Sequence, residues 1–363
     1  GQLQVQDVAG NIAEPLILNG SGPINNGALV NVAGNNFWTG KVELDGNTTV
    51  GAAANTSLAI QGVVSDLGSG HDLTKEGAGK IILDPLGTAT GNPYRGQTFV
   101  NDGILTIRHS LALGNETAPT AVNQTIVQSF PNRSSTLQLE FQANPLRIDP
   151  NANATGFTVP HERLTLNGPG FDGIHVLPKQ DVNVGGATVM GALNNLAGAN
   201  AWTQDIQLWS GNSAMLFDTS TWDYPTVGIG AEIGATLTID GRIRDQNISN
   251  TTYSLIKTHQ GRVVLAPQSP LGTAAPSDYR GRTEILEGFL NIRDSAALGQ
   301  GGSATNNTDV YPGGTLELEA DAIADSSPSG PSPDGKPHLN TDIVLDTAGP
   351  NGERIRIMGD GAA

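Results

Sequence analysis

Apolar residues in this chain come in short runs that alternate with polar ones, and such runs recur along its length. Leu16-Ile17-Leu18, Leu58-Ala59-Ile60, Lys80-Ile81-Ile82-Leu83, Ile104-Leu105-Thr106-Ile107, Leu137-Gln138-Leu139-Glu140, Leu164-Thr165-Leu166, Leu237-Thr238-Ile239, Leu290-Asn291-Ile292 and Leu316-Glu317-Leu318 all fit period two, the spacing of a strand with one face buried. Turn signals bound them: Asn19-Gly20, Asp102-Gly103, Asn167-Gly168, Glu287-Gly288 and Gly313-Gly314, where glycine reaches positive φ without steric penalty. Helical periodicity is confined to Ser110-Leu111-Ala112-Leu113-Gly114 and its copy Ser295 to Gly299, each enough for one turn. These signals describe an all-β chain. Strands so short, without the two-residue turns of equal hairpin partners, fit a parallel β-helix (β-solenoid) better than a sandwich. Coils of roughly 20 to 25 residues, each about 4.8 Å from the last, predict a rod of roughly 70 to 90 Å.

The runs are also copied. Tyr94-Arg95-Gly96-Gln97-Thr98 through Leu111-Ala112-Leu113-Gly114 returns as Tyr279-Arg280-Gly281-Arg282-Thr283 through Ala296-Ala297-Leu298-Gly299. Gly27 to Gly34, followed by Trp38-Thr39, returns as Gly191 to Gly198, followed by Trp202-Thr203. Order is kept while spacing drifts, as happens when insertions sit in surface loops, where added length costs little entropy. Glu14 to Gly22 recurs at Glu162 to Gly170 and again at Glu353 to Gly361. Residues 1–363 therefore read as one continuous solenoid of two degenerate tandem modules, 14–161 and 162–352, the second carrying insertions, with a third starting at 353–363. The chain is expected to be a window on a longer array, and Gly1 to be the product of processing or excision.

Composition narrows the functions. Aromatic residues make up 5% and charged residues 15%, while glycine contributes 47 of 363 positions, which suits a thin stacked core rather than that of an ordinary enzyme. A net charge of −16 and no basic cluster argue against nucleic acid and anionic membrane surfaces as partners. Cysteine is absent, which removes disulfides, thiolate catalysis and sulfur-ligated zinc. No apolar stretch is long enough to span a bilayer, so direct membrane insertion is not expected in this segment.

Leu73-Thr74-Lys75-Glu76-Gly77-Ala78-Gly79-Lys80-Ile81-Ile82-Leu83, followed by Tyr94-Arg95-Gly96-Gln97-Thr98-Phe99-Val100-Asn101-Asp102-Gly103-Ile104-Leu105, closely resembles the autotransporter-associated β-strand repeat. The second module keeps the pattern with departures: His259-Gln260-Gly261-Arg262 replaces Gly77-Ala78-Gly79-Lys80, and Gln204 stands where Gly40 does. The resemblance implies a right-handed parallel β-helix in a large bacterial surface or secreted protein, often a passenger. It implies no shared catalytic residues.

Candidate chemistry is sparse. There is no Gly-x-Ser-x-Gly elbow, His-Glu-x-x-His pair or phosphate loop, and the six histidines are scattered. Asp149-Pro150-Asn151-Ala152-Asn153 places Asp and Asn as a calcium loop does, but lacks the central glycine and terminal glutamate, and reads as a solvated turn. Glu317 and Glu319, with Glu140 in the first copy, lie two apart on an outward strand face and would serve a glycosidase only beside a groove. Trp38 and Trp202 sit at a repeated position, which favours packing. Trp209, Trp222 and Tyr224 belong to an insertion found only in the second module and are the candidate ligand-contact aromatics. Among the Asn-x-Ser/Thr sequons, Asn47, Asn115, Asn132 and Asn250 are candidate glycosylation sites. Ser326 to Gly335 reads as a Pro/Ser/Gly loop projecting from the rod.

No cofactor or metal is called for. The expectation is a non-enzymatic structural segment of an extracellular stalk, fibre or coat on a bacterial surface, its partners further copies or modules of the same chain end to end. An adhesin passenger binding glycans or matrix through its loops is the alternative, with a polysaccharide-degrading β-helix enzyme behind it.

Overall fold

The computed structural model describes residues 1–114, 124–130, 133–171, 189–209, 226–245, 252–267, 277–294, 297–300, 307–319 and 354–358. Among them there is no helix, and the strands are joined in parallel into sheets of 11, 12 and 6 strands. Each of the alternating runs is a strand, and the segment after His109 makes a single turn closed by the Ala112 amide on the His109 carbonyl. The chain is a parallel β-helix.

Successive strands visit three faces in turn. Leu29–Ala33 lies on the first, here face A, Asn35–Trp38 on face B, and the start of Val42–Ala52 on face C. That last strand rounds a corner: Val42 pairs with Leu16 and Val64 on face C, while Val50 pairs with Leu29 and Lys75 on face A. Inward residues stack on like residues of the next coil. Leu58, Ile81, Leu105, Leu137, Leu193 and Ile229 form one such column on face B, and none is more than 1% exposed. Burial of each aliphatic side chain contributes about 1.5–3 kcal/mol. The column works because a parallel in-register pairing keeps period-two side chains on one side.

At the turns predicted at Asp102-Gly103 and Glu287-Gly288, both glycines have positive φ, and a Cβ there would sit 2.4 Å from the Gly77 carbonyl oxygen and 2.6 Å from that of Gly261. The 12-stranded sheet is roughly 50 Å long at the usual strand spacing, shorter than the sequence predicts. The reason is that these coils take more residues than the 20 to 25 expected: Leu137 stacks on Leu193 and Leu164 on Ile206.

The two modules are turned against each other by one face. Leu29–Ala33 is on face A and its copy Leu193–Ala197 on face B; Asn35–Trp38 is on B and Ala199–Trp202 on the third sheet, which occupies place C in the cycle. Lys80–Leu83 and Arg262–Leu265 differ in the same way. Leu16–Gly20 on face C, Arg163–Leu166 on face A and Arg354–Ile357 on face B are three copies of one segment, each advanced by a third of a turn. Surfaces copied in sequence therefore point in different directions, and each face changes module partway along.

Candidate functional site

One of these changes of module opens a groove. On face A, Gln124–Val127 of the first module is followed by Arg163–Leu166, Ile206–Leu208 and Ile243–Asp245 of the second. Leu164, Ile206 and Ile243 point inward and are at most 1% exposed, so their neighbours point outward. Gln124 pairs with Arg163, and the same register leads on to Asp205 and Arg242; beside this column run Thr165, Gln207 and Arg244. Together with Gln204 and Asp245 these side chains line an open groove of about 530 Å³. Gln204, the departure from glycine noted at the position of Gly40, reaches the Pro160 carbonyl at 2.8 Å.

The groove's charges are partly paired. Arg242 binds both carboxylate oxygens of Asp205, its Nε at 3.1 and 3.2 Å, and Arg244 lies 3.8 Å from Asp205 and 3.3 Å from Asp278. Asp245 accepts the amide and Nε of Arg280, each at 3.1 Å. Burial pushes its carboxyl up to about 6, with the Arg280 contacts working the other way. The Arg163 side chain is exposed and has no hydrogen bond or ion pair among the described residues. In the first module, Pro15, Ile17, Lys41, Glu43, Val63 and Ser65 hold the corresponding positions, and Ile17 is 66% exposed.

Of the candidate aromatics, Trp209 is half-buried and follows Ile206–Leu208 in register, its amide on the Leu166 carbonyl at 2.9 Å. By period two it shares the outward side with Gln207. Trp222 and Tyr224 lie outside the described residues, as do Asn115, Asn132 and Asn250. Asn47 is exposed, and its Oδ1 accepts the Asp72 amide at 3.0 Å. Trp38 and Trp202 are 4% and 0% exposed, and neither indole nitrogen has an acceptor. They pack the core.

The most ordered polar arrangements are structural and occur twice. Lys75 and its copy Lys257 point inward and are each 1% exposed. The Lys75 ammonium donates to the carbonyls of Glu76 at 3.1 Å, of Gly77, and of Asp102 on the next coil at 2.7 Å. Lys257 does the same with Thr258 at 2.8 Å, His259, and Glu287 at 2.9 Å. Three donors thus meet three carbonyls and tie two coils together. Burial pushes both ammonium groups down to about 7, against the pull of Asp102 and Glu76 on Lys75 and of Glu287 and Glu232 on Lys257. At another corner, Asn36 donates to Asn31 Oδ1 at 2.6 Å, as Asn200 does to Asn195 Oδ1 at 2.6 Å.

The remaining candidates are held in ion pairs and turns. Asp149 accepts the hydroxyl and amide of Ser110 and the amide of Asn151. Its side chain is 2% exposed and fastens the turn to Ser110, while Pro150 and Asn153 to Thr155 stay exposed, as expected of a solvated turn. Beside it, His109 Nδ1 accepts the Leu111 amide at 3.0 Å and Nε2 lies 3.1 Å from the Ile148 carbonyl, so both ring nitrogens are engaged with the backbone. Glu317 pairs with Arg262, Glu319 with Arg293, and Glu140 with Arg108.

Reading the sequence strand by strand missed the groove. Its signal is visible only once the two modules are aligned and outward positions compared: Arg163, Asp205, Gln207, Arg242 and Arg244 replace residues of different character. No protein-family model, no curated protein and no solved structure matches this chain.

Proposed function

We propose that this chain is a non-enzymatic structural segment of an extracellular stalk, fibre or coat on a bacterial surface, of the autotransporter-associated repeat kind. The observation that carries the reading is the duplication of the buried stations: the lysine tied to three carbonyls, the asparagine pair and the core tryptophan recur in both modules. Such stations serve the joining of one coil to the next, which is what a stiff spacer needs. Leu3–Gln6, Asn11–Ile12 and Leu16–Gly20 each have a hydrogen-bonded neighbour strand on one side only among the described residues. Further coils, from this chain or another copy, fit those edges. The acidic surface, with a net charge of −16, resists lateral association.

Electron microscopy of the purified protein over a range of concentrations tests this. Rods that join end to end into longer fibres are expected. Isolated rods of one length at every concentration would overturn the fibre reading.

A further inference from the structure

The groove on face A has no use in a spacer. We propose that it is a binding site for a uronate-bearing polysaccharide, laid along the solenoid axis across the strands Gln124–Val127, Arg163–Leu166, Ile206–Leu208 and Ile243–Asp245.

Three observations converge on this ligand. First, the groove reverses the local charge of an acidic molecule: Arg163, Arg242 and Arg244 line it against Asp205 and Asp245, whereas the whole chain carries −16. The Arg163 side chain has no partner among the described residues and is open to a carboxylate, which it matches as a planar fork; Arg244, 43% exposed, meets one by exchanging its 3.3 Å contacts with Asp278. Second, the neutral hydrogen-bonding groups Gln124, Thr165, Gln204 and Gln207 share the groove with the cations, and Asp205 stands between Arg163 and Arg242. A polymer that presents hydroxyls between its carboxylates meets that mixture; a phosphate polymer does not, because Asp205 and the acidic surroundings repel its denser charge. Third, the strands lie about 4.8 Å apart along the axis, close to the repeat of a pyranose chain, so that each coil meets one sugar ring. Trp209, two residues beyond Gln207 on the outward side, adds an apolar face further along the same strand line.

The site lies at the module junction. Gln124 comes from the first module and the other lining residues from the second, and the first module's own face C offers no arginine. One site per pair of modules follows.

Isothermal titration of the intact chain with a panel of oligouronates tests the assignment, with the methyl esters of the same oligomers and polyglutamate as comparators. Saturable binding of at least one oligouronate is expected, about tenfold or more tighter than its methyl ester, and weakened about tenfold in Arg163→Gln and in Arg244→Gln. Arg293→Gln, away from the groove, leaves binding unchanged. Should an arginine variant fail to fold, as judged by its melting curve, Gln207→Ala takes its place with the same expected direction. Absence of binding to the whole panel, equal binding of the methyl esters, equal binding of polyglutamate, or full affinity in the folded groove variants would each overturn the proposal.

Discussion

The two modules have the same interior and different exteriors. Inside, Lys75 and Lys257, Asn36 and Asn200, and Trp38 and Trp202 repeat one another's contacts. Outside, Ile17, Lys41, Glu43 and Ser65 of the first module give way to Thr165, Asp205, Gln207 and Arg244. Coil stacking constrains the inward positions, since each must fit the coil before and after it, and leaves the outward ones free to diverge. A solenoid can therefore keep its mechanics while changing its surface one module at a time. Rotation by one face adds a second freedom, because the join between modules sets strands of different origin side by side.

The largest expected effects test whether the interiors are equivalent. Trp202 stacks between Val159 and Ile239, 1% and 0% exposed, whereas Trp38 stacks between half-buried Ile12 and Ile60, and the strand of Ile12 has no second neighbour among the described residues. Trp202→Ala should cost about 3–5 kcal/mol and Trp38→Ala less, because the surroundings of Trp38 collapse more easily. Chemical denaturation measures both. Equal losses would show that position along the rod does not matter. Because neither indole nitrogen has an acceptor, Trp202→Phe should cost far less than the alanine variant.

The lysines give a smaller effect with a definite sign. Their folded pKa lies near 7 and their ordinary value near 10.5. Between these values the unfolded chain holds the proton and the folded chain has lost it, so stability rises with pH across that window. It is greatest above 10.5, falls as pH is lowered towards 7, and is flat below. The slope is at most about 1.4 kcal/mol per pH unit for each lysine. Denaturation midpoints followed from pH 6.5 to 10 should rise in the native protein and lose that rise in Lys75→Met/Lys257→Met. A single replacement that removed the whole slope would break the equivalence of the two stations.

Much of this interior was legible in the sequence. Alternation placed the strands, and recurrence of Leu-x-Lys, Tyr-x-Gly-x-Thr and Gly-x-Leu segments placed the copies. Parity alone also sends Lys75 inward with Leu73; its charge argues against that until the three carbonyls supply a reason. The groove was less legible. It depends on which strands of different modules become neighbours, and that is set by the third-of-a-turn advance, which insertions hide by altering spacing without altering face. Trp209, the one candidate aromatic among the described residues, follows Gln207 by two positions on the outward side and does not line the groove.

Asp66 and Asp245 occupy the same place in the two modules and sharpen the comparison most finely. Each accepts the amide of the following module position, Arg95 at 3.0 Å and Arg280 at 3.1 Å. Asp66 also accepts the amides of Gly68, Gly70 and His71. Burial raises the pKa of both carboxyls, but at Asp66 the four amides outweigh burial and the net shift is downward, whereas at Asp245 burial prevails and holds the group at about 6. The signs of their contributions to stability are opposite. Asp66 stabilises the fold above its ordinary pKa of 3.8 and loses that contribution as pH falls through its lower folded value. Asp245, which binds its proton more tightly when folded, favours the fold increasingly as pH falls from about 6 towards 3.8. Carboxyl carbon shifts recorded by NMR from pH 3 to 8 should show Asp245 titrating near 6 and Asp66 still ionised at pH 4. Two coincident titrations would mean that neither the three further amides at Asp66 nor the deeper burial of Asp245 beside the Arg280 guanidinium has an electrostatic consequence.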